Sequence, residues 1–501
     1  MKDYKPVMPP PGVVRGASKA VLPNRYADAN LIRWRNGVMQ PIGGNQRMTA
    51  SPLPSIPRRL LVWTDNNNVT RVGIMADTKI HVLEATTYTA VEPLDYGGWS
   101  PGTGGGYGIY NYGAEDYGDA RSVGSVIATR PPMWSLDTWG EDIVFLSSSD
   151  GRLLNWSPTT PGSRAAALSG APTGNRAFVV TPERHILVCG ARGDRRRLEW
   201  CAREDRNDWN FASTTNTAGF LPTDSSGWHS ALYEVREGSL LLCDDEVWLV
   251  RYVGQPYIYG AEKINDTVDF LSPRAVATYN GKAAWMGQQG FWRYEGGQVR
   301  PIQCDVAELI FGDINRNAAT VRAHASANGT FNELWWFYPS AGATECDRYV
   351  VWHPDEGWWS VGAMSRSAMF KASVYDTPIA AGNDGALYLQ EQGWTDAGTP
   401  RTGMVWAETG ALSVDNGSRA AKVLLAELDG GGAYEAIRMR AYARRARMGA
   451  EQAFGPYTPR VDGYTEMRFE GRDIRLRFEA ARDEAWSVGA CRLDVRPGSG
   501  R

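Results

Sequence analysis

Apolar and polar residues alternate with a period of two along most of this chain, in short runs broken by Gly, Asp, Asn and Pro. That is the pattern of β-strands joined by tight turns, and helical spacing is scarce. One phrase recurs: an apolar strand, a turn carrying Asp or Gly, then a strand bearing an aromatic. It runs through VGIMADTKIHVLEA (72–85), IVFLSSSDGRLLNW (143–156), LLCDDEVWLVRY (241–252), AAWMGQQGFWRYEGG (283–297), ELWWFYPSAGATECDRYVVWH (333–353) and IAAGNDGALYLQE (379–391). Each reads as a hairpin whose turn supplies Gly or Asp for positive φ. The copies lie roughly 40 to 95 residues apart, against the ~40–50 residues of one propeller blade. The longer gaps, 86–130 and 157–185, read as insertions.

The expected fold is therefore all-β: a β-propeller of about six blades over 55–395, carrying a long Tyr/Gly-rich insertion at 95–120 (DYGGWSPGTGGGYGIYNYGAEDYGDA). Residues 1–54 form an arm and a hairpin, with Asn36–Gly37 as a two-residue turn. Beyond 396 the Trp-rich phrasing stops. In 461–496 Ile474, Leu476 and Phe478 fall on one strand face and Arg475, Arg477 and Glu479 on the other. Residues 396–501 read as a separate, sandwich-like platform completed by the N-terminal arm, because an isolated hairpin is barely stable.

The net charge of −3 is unevenly spread. From Arg438 to Arg501 there are 14 Arg and no Lys against 9 acidic residues, so this end carries +5 and the rest −8. A duplex-gripping protein shows a strongly basic patch instead. No apolar run reaches the ~20 residues that span a bilayer, so stable membrane insertion is not expected. The opening MKDYKPVMPPPG has no apolar signal core, and the chain is expected to leave the cytosol only within a particle. Six cysteines without CxxC spacing read as buried free thiols.

Chemistry is hard to find. Five scattered histidines show no metal-ligand spacing, and HExxH, GxxxxGK[ST] and GxSxG are absent. No catalytic residue, cofactor or metal is expected. Ser148–Trp156 resembles a sialidase Asp-box but lacks the residue between Asp150 and Gly151. A propeller glycosidase, or a glycan- or receptor-binding protein, is the alternative reading. Of the 20 Trp, the pairs Trp335–Trp336 and Trp358–Trp359 cannot both point inward from one strand, so at least one of each pair is expected to face outward or an interface. An interface, a core edge and a glycan groove are the placements open to them. The candidate assembly residues are Trp34, Tyr107, Tyr110, Tyr112, Tyr117, Arg195, Arg196, Arg197, Trp336, Trp359, Arg475 and Arg477. For the Arg clusters, bidentate pairing with acids favours protein contacts over phosphate.

Five stretches stand out in order: PGVVRGASKAVLPNRYADANLIRWRNGVMQPIGG, the Tyr–Gly loop followed by WSLDTWGED, LEWCAREDRNDW (198–209), SPRAVATYNGKAAWMGQQGFWRYEGG (272–297) and GRDIRLRFEAARDEAWSVGACRLDVRPGSGR. Together they resemble a family of tailed-bacteriophage virion proteins of the tail nozzle or hub (tail tubular) type. The resemblance implies a propeller with a platform, set in the virion tail as a homo-hexameric ring below the portal. It further implies a tail adaptor or head-to-tail connector above, fibre, spike or tip proteins as neighbours, and viral DNA passing non-specifically through the lumen. It brings no catalytic motif. A wall that must let DNA slide is expected to be acidic or polar, since phosphate contacts dominate affinity.

Overall fold

The computed structural model describes residues 4–16, 24–99, 131–413, 420–445 and 449–498. Among them, seven four-stranded antiparallel sheets follow one another along the chain. They are blade one (57–90), two (134–167), three (177–222), four (229–265), five (276–302), six (324–363) and seven (368–390), the last completed by Asn45–Arg47. Within each blade the strands pair in sequence order, and the first strands touch in a closed cycle, Ala368–Phe370 of blade seven meeting Pro57–Thr64 of blade one. The fold is a β-propeller.

There are seven blades rather than about six, for two physical reasons. Blade three carries the Arg-rich 190–196 connection between its second and third strands, which hides the hairpin phrase. The stretch 157–185 is not an insertion: it holds Ala166–Ala167, the last strand of blade two, and Ala177–Val180, the first of blade three. The boundary after residue 54 also shifts. Asn45–Arg47 pairs with Leu387–Gln390 and so belongs to the ring, joining the two ends of the blade series.

The platform is a sandwich of two sheets. One orders Tyr4–Pro6, Ala490–Pro497, Ala421–Asp429 and Tyr464–Gly471. The other orders Tyr26–Asn30, Trp406–Thr409, Asp473–Ala480, Ile437–Arg444 and Gln452–Tyr457. Both ends of the chain supply strands to each of these two sheets. Ile474, Leu476 and Phe478 are fully buried between the sheets with Met467, Phe469 and Val423. The Asn36–Gly37 turn has φ of 51° and 81°, the left-handed pair that a two-residue hairpin needs.

The expectation that one Trp of each pair faces outward is overturned. Trp335, Trp336, Trp358 and Trp359 are all at most 4% exposed, because the strand Glu333–Tyr338 is covered on both faces. Trp336 points to blade five, where its indole N–H donates to the Ala275 carbonyl at 3.1 Å and its ring meets Phe291. Trp335 turns to Tyr349 and donates to Glu333. Trp358 lies under the N-terminal arm. Gly12, at φ 95°, passes so close that an added Cβ would sit 2.8 Å from the Trp358 Cβ. Large indoles thus fill the wedges between blades and the seam to the platform. All six cysteines are free, and burial pushes the thiols of Cys189, Cys201, Cys304, Cys346 and Cys491 up to about 12. Among the described residues no helix is long and apolar enough to cross a membrane.

Candidate assembly surfaces and the axial mouth

The ring axis is where a propeller gathers side chains from every blade. At the mouth where the first strands begin, Arg274 of blade five is 1% exposed. Its guanidinium donates to the carbonyls of Arg58 (2.5 Å), Ser367 (3.0 Å) and Val321 (3.4 Å), and packs over Trp134 of blade two at 5.2 Å. One side chain therefore bridges blades one, two and seven and the segment entering blade six. Burial, with Arg58 alongside, draws its pKa down to about 9.

Around it Arg58 donates to Asp77 at 2.9–3.0 Å and to Glu345 at 2.7–2.8 Å. Arg322 closes the square on the same two carboxylates at 3.1 and 3.3 Å. Burial opposes the charge on Arg58, but Glu345 and Asp77 more than offset it and raise its pKa. The result is a filled, cross-linked mouth. Lower on the inner strands stand Asp137 and Glu234, both raised by burial, Glu234 further by the Asp137 charge. Sequence reasoning missed the mouth, since its members come from chain positions up to 287 residues apart and no local pattern marks them.

Across the ring from blade six, the outer edge of blade three exposes aromatics among arginines. Phe211, Phe220 and Trp228 are 43%, 42% and 37% exposed. Arg197 lies 4.0 Å over Phe220 and Arg195 6.0 Å from Trp228. Buried Glu199 accepts from Arg192 and Arg197 at 2.8–3.0 Å, and the Arg196 backbone N–H donates to Asp194. The neighbouring hairpin of blade four, Val247–Gly254 and Ile258–Asn265, carries exposed Tyr252, Val253 and Tyr257 at its tip. A cleft of about 480 Å³ opens on the other side, in the seam, beside Arg33 and Phe331.

Of the sequence-derived candidates, Arg195, Arg196 and Arg197 lie together on this edge. Trp34, Trp336 and Trp359 do not: they are buried at 2%, 0% and 1%, so as exposed contact anchors they are corrected. Trp34 packs on Tyr26 and Trp358 inside the seam. Arg475 is held within the platform by Glu408 and Glu451, and Arg477 by Glu479 and the Trp406 ring. Tyr107, Tyr110, Tyr112 and Tyr117 lie outside the described residues. Asp150 of the Asp-box-like turn is paired with Arg152 at 2.7 Å.

Two buried histidines near blade three set a pH response. His185 is held by the Tyr259 and Thr217 hydroxyls, and His229 by Thr223 at 2.7 Å. Burial pulls both pKa values down to about 4. The unfolded chain, at about 6.5, binds these protons first. Their contribution is thus complete above pH 6.5 and is lost as pH falls toward 4. Stability is expected to drop by about 2–4 kcal/mol between pH 7 and 5 through this pair. Urea unfolding at the two pH values checks it, and equal midpoints would contradict it.

No family model matches the chain, and no curated protein does. Among solved structures, the Pan2 WD40 domain of Neurospora crassa is similar over 69% of this chain and 94% of its own, at 10% identity and a TM-score of 0.41. The Cps50 (Swd1) β-propeller domain of Myceliophteria thermophila is similar over 70% of this chain and 99% of its own, at 9% identity and a TM-score of 0.40.

Proposed function

We propose that the chain is a structural subunit of a phage tail nozzle or hub, assembling into a ring whose central opening conducts DNA. The observation that carries this reading is the aromatic and arginine edge of blades three and four, set across the propeller from the platform. A closed ring of identical chains needs two different surfaces on well-separated sides of each copy. Exposed aromatic and Arg side chains are the residue types that anchor such contacts. The platform side offers its own polar and apolar face around Arg438, Arg460, Arg482 and Val461, the last 79% exposed.

The conduit in this reading lies between copies. The propeller's own axis is closed by Arg274 and the Arg58–Asp77–Arg322–Glu345 square. The −8 carried outside the C-terminal end supports a shared wall that does not hold phosphate. The order of the family-like stretches along the chain supports the virion assignment, with a hexamer as the expected stoichiometry.

Mass photometry and negative-stain microscopy test it. Purified chain, alone or co-expressed with its connector, is expected to give rings with an open centre. A monomer under both conditions, or hydrolysis of a chromogenic glycoside by that monomer, would overturn the reading.

A further inference from the structure

A cavity of about 610 Å³ lies where blades six and seven meet the platform. Two buried guanidiniums line it, Arg366 at 5% and Arg401 at 2% exposure. Neither has a carboxylate within ion-pair distance among the described residues, unlike buried Arg33, Arg58 and Arg71. Arg401 spends its two terminal nitrogens on the Gly43 and Ile42 carbonyls at 2.6 Å, and its Nε is buried without a partner. Arg366 rests 4.7 Å over the Tyr388 ring and donates to the Ser365 carbonyl. With its amide turned to satisfy Asn45, Gln390 accepts from Arg366 at 3.2 Å.

Three acids line the same space, and each is engaged elsewhere. Asp347 accepts from the Ser340 N–H and hydroxyl, Asp384 from the Ala386 N–H and Tyr388 hydroxyl, and Asp396 from the Asn45 amide. The remaining cation, Arg348, pairs with Asp313 at 3.5 Å. Burying a guanidinium without a counter-charge is costly, and two such groups beside an open cavity favour an anionic occupant. Planar forked donors match a carboxylate. Leu31 and Met404 add an apolar wall for the carbon chain behind it. Desolvation lowers the pKa of both arginines, in keeping with the missing partner.

We infer that this seam cavity is a carboxylate-binding site, in which one bound group ties blade seven to the platform. The carboxylate comes either from a free small acid or from an acidic side chain of a neighbouring copy. Isothermal titration of the purified chain with citrate and with glutamate, at ionic strength matched by sodium chloride, reads the first source. Saturable binding is expected, weakened about tenfold or more in Arg401→Gln, as for a lost charged hydrogen bond. Met404→Trp enlarges an exposed wall residue into the cavity and leaves both arginines and their carbonyl contacts in place. It is expected to fold with the wild-type melting curve and to weaken the binding about tenfold or more. If neither acid binds but Met404→Trp abolishes association of copies at an unchanged monomer melting point, a neighbour's side chain is the source. Absence of binding together with unchanged association, or binding unaffected by both variants, would overturn the inference. The titration is read on the isolated chain, so its outcome does not depend on ring formation.

Discussion

Arg33→Met is expected to lower the unfolding free energy by about 3–5 kcal/mol, the usual cost of removing one partner from a buried ion network. Arg33 is 2% exposed on the strand Ile32–Arg35. It donates to both oxygens of Glu333 at 2.7 and 2.8 Å and to Glu391 at 2.5 and 2.9 Å, with the Phe331 ring 3.6 Å away. Glu333 belongs to blade six and Glu391 to the exit from blade seven, so one guanidinium fastens the N-terminal hairpin to both. Burial works against its charge, but the two carboxylates more than offset it and raise its pKa. Without the cation, two carboxylates share a buried space with only Trp335, Asn328 and the Gly43 N–H to hold them.

The deficit has a signature. Glu333 is already raised by burial and by Glu391 beside it. Removing Arg33 raises the Glu333 carboxylate further, so protonation relieves the variant at low pH. The difference from wild type is expected to shrink between pH 8 and 5, measured by urea unfolding of the two chains side by side. Replacing Glu333 and Glu391 with Gln in the same variant should recover much of the loss, because no buried charge is then left unpaired. A loss below about 1 kcal/mol would mean that the network behaves like exposed pairs.

How far the chain reveals this architecture depends on the range of the interactions. Local features were legible. The Asn36–Gly37 turn, the alternation through 473–480 and the aromatic-bearing hairpins of blades one, two and four to seven are written in neighbouring residues. Blade three escaped because its strands are separated by the long loops 190–196 and 201–218, which break the phrase. The Trp pairs misled for a different reason. Alternation says which residues share a strand face, but not whether the second face is also covered, and Gly12 and Trp34 bring that cover from the far end of the chain. The axial mouth and the seam cavity were illegible throughout. Arg274 meets Arg58 216 residues away, and Arg401 meets Ile42 359 residues away. Each is an unremarkable arginine until the ring closes. The Tyr-rich part of the insertion, from which an assembly role was expected, lies outside the described residues.

A chain lacking residues 1–47 is expected to lose not one domain but cooperative folding throughout. The segment buries Val7, Val13, Tyr26, Leu31, Ile32, Trp34, Met39 and Ile42, each at most 7% exposed. At roughly 1.5–3 kcal/mol per buried side chain, this exceeds much or all of the ~5–15 kcal/mol by which a native fold is stable. The loss is also badly placed. Deletion strips the fourth strand from blade seven, an edge strand from each platform sheet, and the cover from Trp358. It leaves Glu333 and Glu391 without Arg33. Every cut lies along the seam between propeller and platform, where a single apolar cluster spans both units. Limited proteolysis should therefore cleave within blades six and seven as well as in the platform, and the near-UV tryptophan signal should collapse. Because these contacts are non-covalent across the new break, residues 1–47 supplied as a separate chain during refolding should restore the signal. A truncated chain that keeps the full-length melting temperature would show that the ring closes without its N-terminal strand and that the two units are stable apart.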